Sequence, residues 1–132
     1  MFQSRKLNDL DIRMRVKVFE FLARLTEVKI PVLIVGTLRD QEQQKEYVKN
    51  KVSWTMNSLH LPQSPSNLAL AIDIVPYSIY DAVGPDKLNW NETDPIWNLI
   101  GAIGVSLGLK WGVVVNGKRK DLGHFEYIKE KK

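Results

Sequence analysis

The chain has 132 residues, 44% hydrophobic and 26% charged, which is enough for one globular core and unlike either a disordered or a membrane-spanning composition. It contains no cysteine, so disulfide scaffolds, thiol nucleophiles and cysteine-ligated metal sites are excluded. The net charge of +4 resides wholly in residues 110–132, where Lys110, Lys118, Arg119, Lys120, Lys129, Lys131 and Lys132 face only Asp121, Glu126 and Glu130.

The opening residues lack the ~7–15-residue apolar stretch of a signal peptide, and no apolar run approaches the ~20 residues of a membrane-spanning helix. A single domain over residues 1–132, made in the cytoplasm and not inserted in a membrane, is the expectation. Leu7, Leu10, Met14, Val18, Phe21 and Leu25 recur at spacings of three and four, predicting an amphipathic helix over about 8–26. After Pro31, the β-branched run Val32-Leu33-Ile34-Val35, ended by Gly36, predicts a buried strand. Residues 40–50 are rich in Gln, Glu and Lys and predict an exposed helix, and residues 53–68, with two prolines and four serines, predict a loop.

Residues 68–75 alternate. Leu68, Leu70, Ile72 and Ile74 share one face of a predicted strand, and Ala69, Ala71, Asp73 and Val75 the other. A carboxylate between alanines implies open space over that face. Residues 76–93 read as a second loop. Asp94-Pro95 is a helix start, and the helix runs through Trp97, Ile100, Ile103 and Leu107 to Gly108. A strand over 109–115, the hairpin signal Asn116-Gly117 and a last strand over about 124–128 complete the chain. The last strand would put His124 and Glu126 on one face, Phe125 and Tyr127 on the other. The class is α+β, with helices packed on a small, mostly antiparallel sheet.

His60 and His124 are the only histidines. His60 lies upstream of the strand bearing Asp73, and His124 follows Asp121 by three residues. Two imidazoles and a carboxylate are a common donor set for catalytic zinc, with a fourth position left for water. A second, unligated carboxylate would then serve as base, and Asp121 and Glu126 both lie close enough in sequence. The alternative is that each histidine is an ordinary structural or surface residue.

Ser58-Leu59-His60 followed by Ala71-Ile72-Asp73 resembles the Ser-x-His…Ala-x-Asp zinc motif of the D-alanyl-D-alanine and L-alanyl-D-glutamate metallopeptidases, a group that includes carboxypeptidases and phage endolysins. Gly108-Leu109-Lys110-Trp111-Gly112 and Asp121-Leu122-Gly123-His124-Phe125 are similar to its Gly-Leu-x-Trp-Gly…Asp-x-x-His-Phe. Thr37-Leu38-Arg39-Asp40 with Gln41, Gln43 and Gln44 is similar to its Tyr-Arg-Ser…Gln stretch. The resemblance spans about residues 30–128. It implies a hedgehog/D,D-peptidase-like fold with one zinc on the open face, held by His60, Asp73 and His124. Asp121 becomes the general base and Arg39 the group that polarises the scissile carbonyl; without the resemblance, Arg39 would be read as a helix-start ion pair. Ser58 supports the metal loop, and Glu126 is either the runner-up base or a partner of His124. The chain departs from the family in two places. The His60 to Asp73 interval of thirteen residues is wider than in many members, so residues 62–67 must loop out. Val115 stands near where many relatives have tryptophan.

The implied function is a zinc-dependent peptidoglycan peptidase: a monomeric phage endolysin cleaving the L-alanyl-D-glutamate bond of the stem peptide, held in the host cytoplasm until released to the wall, with no separate wall-binding domain. The alternative within the class is a D-alanyl-D-alanine carboxypeptidase. The alternative of another class is a non-catalytic zinc-binding or basic polyanion-binding domain. Against nucleic acid, the aromatics are not interleaved with a basic stripe. The basic end would attract an anionic sacculus, or merely keep the chain solvated.

Overall fold

The computed structural model of the chain describes residues 2–53, 55–77 and 87–129. The first helical segment is broken in two. A single 3-10 turn covers Leu7–Asp9, and helix α1 runs over Ile12–Glu27. The break falls at Leu10 and Asp11, short of the continuous helix over 8–26 that the spacing predicts. The Asp11 backbone N–H donates to the Ala69 carbonyl instead of continuing a helix, and its carboxylate caps α1 by accepting from Arg13 N. The apolar stripe is otherwise as spaced, with Met14, Val18, Phe21 and Leu25 buried.

Strand β1 is Val32–Gly36, helix α2 is Gln41–Lys49, and Asp40 caps α2 through a bond from Gln43 N. Strand β2 is Ala71–Pro76. It begins three residues later than the alternation predicts, because Leu68, Ala69 and Leu70 bond to Gln63, Asp9 and Leu59 in the flanking loops. Helix α3 is Ile96–Ser106, and Asp94 Oδ1 accepts from Ile96 N at 2.9 Å. Strands β3 (Leu109–Val115) and β4 (Lys118–Tyr127) flank Asn116 and Gly117, at φ of 52° and 76°. Both angles are what a type I′ hairpin turn requires. The expected last strand, 124–128, is therefore the second half of a longer one that starts at the turn.

The four strands form one sheet in the order β1-β2-β4-β3, each pair antiparallel. The α+β class is borne out. Phe125 and Ile72 pair across β4 and β2 and are fully buried. Phe125 meets Phe21 of α1 edge-on, with centroids 4.7 Å apart, so this face carries the helices. The next pair, Asp73 and His124, points to the opposite face. That face is less open than the alanines imply: Ala69, Ala71 and Val75 are fully buried, while Asp73 stays partly exposed.

Candidate metal centre

The sheet sets two of the three donors by register. Asp73 and His124 are directly opposed on β2 and β4, and His124 Nδ1 lies 2.9 Å from Asp73 Oδ1. His60 comes from the loop after α2, whose backbone is tied to the residue before β2 and to the segment after β1 by Leu70 N to Leu59 O and Arg39 N to His60 O. Its Nε2 is 3.1 Å from Asp73 Oδ2 and 3.3 Å from His124 Nδ1. One donor atom from each residue lies within 4.8 Å of the others, an arrangement able to hold a metal ion.

The outer nitrogens of both imidazoles are occupied. His60 Nδ1 is 2.6 Å from the Thr37 carbonyl oxygen; a carbonyl only accepts, so Nδ1 carries a proton and Nε2 is the nitrogen turned to the cluster. His124 Nε2 lies 2.8 Å from Glu126 Oε1, which leaves Nδ1 facing inward. Such outer partners fix tautomer and ring orientation at metal sites. Ser58 Oγ accepts from His60 N at 3.1 Å and braces the loop.

Charge in the cluster is strongly coupled. Burial alone would raise the pKa of Asp73, but the two imidazoles outweigh it and hold the carboxyl well below the ordinary carboxylate range. Burial would lower that of His124, yet its bonds to Asp73 and Glu126 push it up to about 10 without a metal. Asp121 moves the other way: burial first, then the neighbouring Asp73 charge, raise its pKa. Its side chain is reached by solvent but lines the cleft beside Asp73, His60 and His124. Asp121 sits there because of an irregularity in the β3–β4 ladder. Trp111 pairs with Phe125 and Val113 with Lys120, so two steps along β3 match five along β4. The extra residues bulge out, and Asp121 takes φ of 58°.

Arg39 is fixed on three sides. Its Nε donates to Gln3 Oε1 at 3.1 Å, its Nη1 to Gln44 Oε1 at 2.6 Å, and its guanidinium lies over Tyr47, 4.6 Å from the ring centroid. Nη2 remains, 3.6 Å from Asp73 Oδ2. Arg39 is thus no helix-start ion pair. Gln44, on a helix expected to be exposed, is wholly buried and donates to Ser53 Oγ and the Thr55 carbonyl. Gln3, Thr37 and Tyr47 carry no local sequence signal that marks them as part of the site. The one sequence signal for Gln44 was its place in the stretch resembling the arginine motif. Around the cluster opens a cleft of about 610 Å³, whose lining includes Lys110 and Lys129 and which is of the size that takes a short peptide.

No protein-family model matches the chain, and no curated protein matches it. Among solved structures, the fold is similar to that of the Serratia marcescens L-Ala D-Glu endopeptidase ChiX. The TM-score is 0.63 and the identity 20%, over 96% of this chain and 89% of that one. No described helix is long and apolar enough to cross a membrane.

Proposed function

We propose that the chain is a zinc-dependent peptidoglycan peptidase of the D-alanyl-D-alanine/L-alanyl-D-glutamate metallopeptidase family. On this reading residues 1–132 are one catalytic domain of endolysin type, cutting the stem peptide between L-alanine and the D-glutamyl residue. The observation that carries it is the His60, Asp73 and His124 cluster at the floor of a cleft that Asp121 and Arg39 also line. The fold shared with an L-Ala D-Glu endopeptidase supports the same reading.

The donor set fits zinc: two imidazoles with their outer nitrogens engaged, and one carboxylate. Three protein donors facing a cleft match a catalytic rather than a structural site, which is normally closed by four. Bound there, zinc would supply Lewis acidity toward the scissile carbonyl and acidify a water. Asp121, its pKa raised by burial and by Asp73, accepts the proton of the attacking water and returns a proton to the departing amine as the C–N bond breaks. Arg39, with Nε and Nη1 already engaged, directs Nη2 to the negative charge that develops on the carbonyl oxygen. Glu126 orients His124 through Nε2 and is not the base. Lys110 and Lys129 in the cleft lining suit a substrate carboxylate, which the leaving halves of both the L-alanyl-D-glutamate and the D-alanyl-D-alanine bonds supply.

The test is metal analysis with turnover. The purified chain should hold one zinc, lose activity on chelation and regain it with zinc, and His60→Ala should lose zinc and activity together. Full activity in a zinc-free sample would contradict the proposal.

A further inference from the structure

Residues 2–4 lie alongside the segment that carries Arg39, with Gln3 and Arg39 opposed in an antiparallel bridge. Ser4 N donates to Leu38 O and Thr37 N to Ser4 O, each at 2.7 Å, and Asp40 N donates to Phe2 O at 3.0 Å. The Gln3 side chain then joins two elements. Its Nε2 donates to the Val35 carbonyl in β1 at 2.8 Å, and its Oε1 accepts from Arg39 Nε at 3.1 Å. Gly36 leaves the room for that amide. It pairs with Asp73 in the β1–β2 ladder, and a Cβ there would lie 3.0 Å from Gln3 Nε2 and 3.4 Å from Asp73 Oδ2.

An arginine side chain is long and rotamer-rich, so an unheld guanidinium spreads its charge over many positions. Arg39 is 6% exposed, and its N–H groups need acceptors. Glutamine suits the place because it carries both a donor and an acceptor. The Val35 carbonyl takes the donor, which turns the oxygen toward Arg39 Nε. Gln44 holds Nη1, a single point about which the planar group could still turn. Gln3 adds the second point, and two points fix the plane. Nη2 then stands 3.6 Å from Asp73 Oδ2, on the side of the metal cluster.

We infer that Gln3 is a positioning residue that clamps Arg39 so that Nη2 faces the reacting carbonyl. Gln3 does not line the cleft, so it acts on turnover only through Arg39. The consequence for turnover rests on the peptidase reading.

The test joins a signal that needs no turnover to a double-variant cycle. In the nitrogen-15-labelled protein, the Arg39 Nε–H signal is assigned by its absence from Arg39→Lys. It should exchange slowly with water in the wild type and at least about 10-fold faster in Gln3→Met, which fills the same space without hydrogen bonds. On a stem-peptide substrate Gln3→Met should lower kcat about 10-fold, the loss of one hydrogen bond to a charged group, with KM and zinc content unchanged. In the Arg39→Lys background the same change should cost nothing further, since lysine has no nitrogen at that place. A merely structural role would slow both backgrounds equally. Equal losses in the two backgrounds, or exchange at Arg39 Nε unaltered by Gln3→Met, would overturn the inference. So would a wild-type Nε–H that exchanges as fast as that of a free arginine, a result that needs no folded variant. The two readings fail separately. A protected Nε–H released by Gln3→Met in a chain that cuts no peptidoglycan would leave the clamp and remove the function, whereas cleavage with an unprotected Nε–H would do the reverse.

Discussion

Asp121 holds a backbone conformation, φ of 58°, that aspartate tolerates better than most residues but still pays for. Strain of this kind, beside a carboxyl whose pKa burial and Asp73 push upward, costs stability rather than adding it. A raised carboxyl pKa means that the folded state binds the proton more tightly than the unfolded one. Its favourable contribution is present below the ordinary carboxylate pKa and is lost as pH rises through the raised one. Asp121→Asn should therefore leave the melting temperature unchanged or higher at pH 7, keep zinc bound, and lower kcat by ~10²-fold or more. Glu126→Gln should instead weaken zinc affinity about 10- to 100-fold, with turnover largely restored at saturating zinc. Metal content and single-turnover rates separate the two, and the opposite pattern would make Glu126 the base. His124 adds a pH signature. With its pKa at about 10 in the metal-free protein, its charged form stabilises the fold fully below the ordinary value near 6.5, and that contribution fades as pH rises through 10. Zinc needs the neutral imidazole. Calorimetry at pH 8 in buffers of different ionisation enthalpy should show His124 releasing about one proton per zinc bound, and no release would contradict the assignment. His60, Asp73, Asp121 and His124 were visible as candidates because the chain has only two imidazoles and the segments that carry these residues resemble the metallopeptidase motifs. Gln44 and Thr37 were not: a buried glutamine on a polar helix has the same local pattern as an exposed one, and Thr37 acts through a carbonyl that every residue has.

Elements were legible where a period or a cap marks them. α2 follows from its polar composition, α3 from Asp94-Pro95 and the hairpin from Asn116-Gly117, whereas the boundaries of α1, β2 and β4 moved for tertiary reasons. α1 breaks at Leu10 because the Asp11 N–H finds Ala69 across space, a partner no local pattern reveals. The first half of β4, residues 118–123, is polar and largely exposed, so it lacks strand alternation; its pairing with β3 comes from the turn, and the bulge that carries Asp121 hides its register. Gly123 lies within this bulge. A Cβ there would run into the Ile74 carbonyl oxygen on β2, and β2 cannot retreat without carrying Asp73 away from His124. Gly123→Ala should lower stability by about 1–3 kcal/mol and weaken zinc binding as well. Thermal melts with and without zinc check this, and an unchanged affinity would show that the strand spacing does not set the donor geometry.

At the scale of the whole molecule, the sheet separates two tasks. The face bearing Ile72 and Phe125 packs the helices, and the opposite face opposes Asp73 and His124 and receives His60 from a loop. The class was legible because strand and helix signals alternate irregularly along a short chain. The order β1-β2-β4-β3 was not, since antiparallel pairings leave no mark in sequence beyond their turns. The excess positive charge divides between sites. Lys118, Arg119 and Lys120 are exposed on the β3–β4 hairpin, Lys110 and Lys129 line the cleft, Lys129 donates to Gln63, and Lys131 and Lys132 lie outside the described residues. The central claim, that this cluster cuts a peptidoglycan stem peptide, is tested most directly by mass spectrometry of purified peptidoglycan after digestion by the zinc-loaded chain, beside a chelated sample. The account predicts new alanine carboxyl and glutamate amino termini in the first sample and none in the second. Intact stem peptides in both, or the same termini in both, would contradict it.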